Sequence, residues 1–78
     1  MAPQDIYDAL KKGPFPMRIS LKDGRSFELP IRFMIVVGKT YVDIGVQAQG
    51  EEPGVCCDLV RCNPEDVVRV ESLSPSAA

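Results

Sequence analysis

Phe15-Pro16-Met17-Arg18-Ile19-Ser20-Leu21-Lys22-Asp23-Gly24-Arg25-Ser26-Phe27-Glu28-Leu29 is the stretch whose reading decides the fold. Phe15, Met17, Ile19 and Leu21 alternate with Pro16, Arg18, Ser20 and Lys22. A period of two is the mark of a strand with one buried face. Asp23-Gly24 then supplies the strongest short hairpin signal, because a tight hairpin turn needs a positive φ that glycine adopts without strain. The return strand starts at Arg25 and turns Phe27 and Leu29 inward. Pro30 lacks an amide donor, so it ends this strand or marks a bulge at an edge.

Downstream, the alternation continues in short bursts. Residues 31–37 are nearly all apolar, which predicts a strand covered on both faces or lying at a subunit contact. Gly38-Lys39 makes a turn, and 40–46 form another strand with Val42, Ile44 and Val46 on one side. Residues 47–54 are a polar loop, and 55–61 return to strand. Asn63-Pro64-Glu65-Asp66 is a turn or a single helical turn with Asn63 as its cap. The last strand, 67–72, sets Val68 and Val70 on one face and Arg69 and Glu71 on the other.

Upstream, residues 3–12 predict a short helix. Pro3 and Asp5 suit its first turn, Lys11 and Lys12 its last, and Gly13-Pro14 stops it. Ile6, Tyr7 and Leu10 form a narrow apolar face, and a helix this short is stable only when such a face is docked. The whole reads as one domain over 1–73, with 74–78 a disordered tail. So few short strands bury an apolar face most economically by curling into a small barrel.

Composition limits what this domain does. The chain has 78 residues, 45% hydrophobic and 26% charged, which is globular in proportion and too small for a multi-layer enzyme. No apolar run approaches the roughly 20 residues of a spanning helix, so no membrane partner is expected. Nine basic and eleven acidic residues leave a net charge of −2, the wrong sign for a dedicated nucleic-acid binder. The absence of histidine removes the commonest general base and zinc ligand. With no nucleophile motif either, the chain reads as non-catalytic, without a cofactor. The carboxylate pairs Glu51-Glu52 and Glu65-Asp66 fall in loops and read as solvated charge.

The three cysteines, Cys56, Cys57 and Cys62, are an odd number in a tight cluster. That is not the even, dispersed pattern of a secreted disulfide framework. Residues 1–5 carry neither a basic region nor an apolar core, so a cytoplasmic chain is expected. Alternation places Cys56, Asp58 and Cys62 on one face and Cys57 on the other, a poor ligand set for a metal. The expectation is that these thiols act as small apolar side chains.

Two resemblances refine this. Ile19-Ser20-Leu21-Lys22-Asp23-Gly24-Arg25 resembles the first half of the Sm-like motif, within the SH3-like small barrels. Val60-Arg61-Cys62-Asn63, with Val67-Val68-Arg69-Val70 beyond it, resembles the second half. The chain is also similar to short uncharacterised bacterial proteins with a Phe-x-x-Arg-Ile-x-Leu-x-Asp-Gly-Arg-x-Phe-Glu core. Phe15, Arg18, Ile19, Leu21, Asp23, Gly24, Arg25, Phe27 and Glu28 match that core. The resemblance implies a mainly β fold: a small SH3-like (Sm-like) five-strand barrel with a short N-terminal α-helix. It departs from Sm-like RNA binders in having no asparagine within residues 41–46 and Arg61-Cys62 where they have Arg-Gly.

Two functions follow as expectations. One is a binding or assembly module that pairs with itself or another protein through an edge strand, using Ile31, Phe33, Ile35 and Val37. The other is an Sm-like RNA-binding oligomer contacting nucleic acid through Arg18, Lys22, Arg25 and Arg61.

Overall fold

The computed structural model describes residues 1–73; the expected tail at 74–78 lies outside them. The fold is mainly β, with six strands in two antiparallel sheets and one short N-terminal helix. Helix α1 spans Pro3–Lys12. The strands are β1 Met17–Leu21, β2 Ser26–Leu29, β3 Ile35–Val37, β4 Val42–Gln47, β5 Cys56–Cys62 and β6 Val67–Ser72. One sheet has the order β2-β1-β6, the other β3-β4-β5.

The first hairpin forms as its sequence dictates. Ile19 stands opposite Phe27 and Met17 opposite Leu29. Gly24 takes a φ of 98°, a conformation that favours glycine. Asp23 accepts a hydrogen bond from the Arg25 amide at 3.0 Å, holding the turn shut. Strand β1 is the spine of this sheet: Met17, Ile19 and Leu21 are all buried.

The sheets face a common core. Leu29, Met34, Ile35, Val42, Ile44 and Val67 meet the β1 side chains there. Helix α1 closes one side by docking on β6 and β3, and it buries Ile6 and Leu10 while Tyr7 stays half-exposed. The i, i+4 pair therefore carries the docking, and Tyr7 lies at its margin.

Three expectations need correction. Residues 31–37 are not one strand. Arg32–Met34 form a 3₁₀ turn, and only Ile35–Val37 pair with β4. The amide of Met34 donates to the Ile31 carbonyl at 3.3 Å, and the Arg32 guanidinium donates to the Ile35 carbonyl at 3.0 Å. The turn shortens that strand to three residues; six strands form where a five-strand barrel was expected, and no ladder among the described residues joins β2-β1-β6 to β3-β4-β5. In the last strand, a register shift between Ser20 and Leu21 sets Val67 opposite Leu21 and Val70 opposite Ile19. Val67 and Val70 thus share the core side, while Val68 points outward at 55% exposure. An inserted residue breaks period two, which is what a bulge does.

Candidate functional site

Strand β5 is where the fold leaves the most unused bonding capacity. It is the last strand of its sheet, so one edge of a seven-residue strand has no partner strand among the described residues. A row of unmet amide and carbonyl groups is a template for another strand; on this edge the Leu59 amide already donates to Asp58 Oδ1 at 2.8 Å. The other edge strands are β2 with four residues, β3 with three and β6 with six.

The register of β5 against β4 fixes which side chains face outward. Cys62 stands opposite Val42 and Val60 opposite Ile44, so both look toward the core. Leu59 stands opposite Gly45 and Arg61 opposite Asp43 on the outer face. Leu59 is 63% exposed, and Val55, just before the strand, is also exposed. Gly45 is glycine because of what lies over it. A Cβ there would sit 2.6 Å from the Cys56 sulfur and 3.2 Å from the Met34 carbonyl.

One ion pair anchors the outer face. The Arg61 guanidinium donates from Nη2 to Asp43 Oδ2 at 2.9 Å, while its Nε bonds Oδ1. The guanidinium also lies 4.7 Å from the centre of the Tyr41 ring. The hydrogen bonds from Arg61 hold the Asp43 carboxyl below the usual aspartate range, and Asp43 in turn raises Arg61. A bidentate pair of this kind fixes side-chain direction.

The residues expected at a protein contact do not form one surface. Phe33 is 88% exposed, but Ile35 is 2% exposed and belongs to the core. Ile31 and Val37 are half-buried and pack against that core. The 3₁₀ turn is the reason: it leaves Phe33 outward and starts the pairing with β4 at Ile35, opposite the buried Ile44. Only Phe33 of the four is presented, and Val36 joins it at the surface.

The four expected nucleic-acid contacts each have a carboxylate partner. Arg18 pairs with Glu28 at 3.5 Å, Lys22 with Asp66 at 3.8 Å and Arg25 with Asp23 at 2.8 Å. Arg61 holds Asp43 as described. Phosphate would have to compete with an acid at every one. The backbone and side-chain bonds from Arg25 also lower Asp23 from the usual aspartate value.

The cysteines are separated by environment. A register shift between Val46 and Gln47 puts Cys56 opposite Gln47 and Asp58 opposite Val46, so the expected grouping of Cys56 with Asp58 and Cys62 does not form. Cys56 and Cys57 are exposed, and Cys62 is half-buried. Burial and the Asp66 carboxylate push the Cys62 thiol above its ordinary value. Among the described residues no group of three or more histidine, cysteine or acidic side chains could hold a metal ion.

An open groove beside Pro3, Lys39, Asn63, Pro64 and Glu65 is the largest of the described hollows, and it contains no thiol. No helix among the described residues is long and apolar enough to cross a membrane. The chain matches no protein-family model, no curated protein and no solved structure. The exposed β5 edge was beyond sequence reasoning, because Val-Cys-Cys-Asp-Leu-Val looks like any half-buried strand until its neighbours are known.

Proposed function

We propose that this chain is a non-catalytic assembly module that joins to further copies of itself through the edge of β5. One observation carries the reading: a seven-residue strand with an open edge presents Leu59 on its face, with exposed Val55 just before it. Long exposed edges of this kind are usually shortened, charged or covered in proteins that stay monomeric. A chain of this size also gains stability by oligomerising.

The two longest edges, β5 and β6, belong to different sheets. That supports a heterologous contact, β5 of one copy against β6 of the next beyond Val67, whose carbonyl already accepts from the N-terminal ammonium at 2.9 Å; such a contact closes into a ring if the rotation permits. The SH3-like barrel belongs to the same proposal. The two sheets would be its halves, bent apart at Pro30 and the 3₁₀ turn, with β2 and β4 in contact across the core. The three free thiols fit a cytoplasmic setting. The RNA reading has less support, since Arg18, Lys22, Arg25 and Arg61 are all engaged by carboxylates.

Light scattering after size exclusion, in reducing buffer, tests this. The wild type is expected well above the 8.6 kDa of one chain. Leu59→Lys is expected to stay folded by circular dichroism and to run as a single chain. A wild type at single-chain mass at all concentrations contradicts the proposal. So does a Leu59→Lys variant of unchanged mass.

A further inference from the structure

We infer that Cys56 and Cys57 are a thiol-modification site at the start of the assembly edge, where attachment of a small thiol compound closes β5 to a partner strand. The inference rests on the assembly reading above. Three observations carry it. Both thiols are exposed, on the same strand and at the same end of it. Neither is held by a strong bond: Cys56 Sγ reaches the Gly54 carbonyl at 3.8 Å and Cys57 Sγ the Gln47 carbonyl at 3.9 Å. Gly45 leaves open the space in which the Cys56 sulfur lies, on the outer face.

The third thiol of the strand sets the contrast. Cys62 is half-buried on the core side, and burial with Asp66 disfavours its thiolate. The thiolate is the nucleophile in exchange, so Cys62 is disfavoured by its burial, while Cys56 and Cys57 are accessible.

The reagent class is a low-molecular-weight disulfide such as oxidised glutathione. A cysteine thiolate attacks one sulfur of the disulfide. A protein–sulfur bond forms, the reagent's S–S bond breaks, and the departing half leaves as a thiolate that takes up the proton the cysteine gave. The protein sulfur is oxidised and the leaving half is reduced, so no further oxidant enters. The attached group brings bulk and carboxylates to a strand where cross-strand side chains must come within about 5 Å of each other. Glu51, Glu52 and Asp58 already make this end acidic, so the added charge repels an approaching strand that carries acid of its own.

The test treats the full chain with oxidised glutathione and follows it by intact mass, peptide mapping and light scattering. The first additions are expected at Cys56 and Cys57, with Cys62 last. The doubly modified protein is expected to fall to single-chain mass and to reassemble after reduction by dithiothreitol. A Cys56→Ser, Cys57→Ser variant is expected to assemble and to keep its assembled mass in oxidised glutathione. Modification of Cys62 first, or a fully modified edge with unchanged mass, overturns the inference. If the reduced wild type is already a single chain, the assembly reading fails and edge closure fails with it. The order of thiol modification is then decided by mapping alone.

Discussion

The two sheets use the same kinds of residue to opposite ends. In the first, β1 lies between β2 and β6 and buries Met17, Ile19 and Leu21 in the core. In the second, β4 is the covered spine, and β5 beside it shows most of its length to the surface. Val, Leu and Cys in β5 are no less apolar than the side chains of β1. What differs is how many neighbours the topology supplies. Both sheets end in edge strands, and β5 is the longest of them.

The sharpest contrast comes from the two spines. Ile19→Ala in β1 and Ile44→Ala in β4 each remove a side chain of 0% exposure. Each is expected to cost about 2–5 kcal/mol, read from urea denaturation. For a chain this small that is a large part of its stability. Comparable losses in both sheets would mean one cooperative core. A full loss for Ile19→Ala with almost none for Ile44→Ala would break the comparison, because the second sheet would then contribute little to the fold.

The neighbouring pair Phe33 and Ile35 gives the next largest effect. Ile35→Ser puts an unpartnered hydroxyl in the core and is expected to lower the melting temperature strongly. Phe33→Ser, at an exposed position, is expected to leave it nearly unchanged. Equal losses would mean that 31–37 is a strand buried on both faces after all.

Those two residues also show how far the sequence could be read. The first hairpin was legible because period two and Asp23-Gly24 are local signals that agree. Helix α1 was legible for the same reason, from its caps and the Ile6–Leu10 spacing. Residues 31–37 misled because a continuous apolar run has no period, so strand and turn look alike. Val67 and Val68 could not be told apart, since the register shift that buries one and exposes the other lies in the pairing with β1. The burial of Ile35, one of the expected contact residues, was hidden by the same route. Which edge is open depends on strand order, and no local pattern encodes it.

Gly45 gives a smaller effect that sharpens the picture of the outer face. Gly45→Ala is expected to cost about 1–3 kcal/mol, as overpacking does, because the new methyl meets Cys56 and the Met34 carbonyl. Adding Cys56→Ala should recover part of that, since it removes the nearer contact. A double variant no better than the single would place the strain at Met34 alone.

The smallest effect is the acid response of the ion pairs. Asp43 and Asp23 are both held below the ordinary aspartate value in the fold by arginine hydrogen bonds. Their contribution is therefore complete above the unfolded value and is lost as pH falls through the lowered folded one. Asp43→Asn is expected to flatten the acid limb of the stability profile slightly and to leave neutral stability close to wild type. An unchanged acid limb would mean that the Arg61 pair makes no net contribution in solution.

Amide hydrogen exchange of β5 across a range of protein concentrations tests the open edge most directly. The β5 amides that donate neither to β4 nor, like that of Leu59, to the Asp58 carboxylate are the ones to follow. They are expected to gain protection as concentration rises, together with the mass, while the β1 amides stay protected throughout. Fast exchange along that edge at every concentration, with β4 and β1 protected as expected, would contradict assembly through β5.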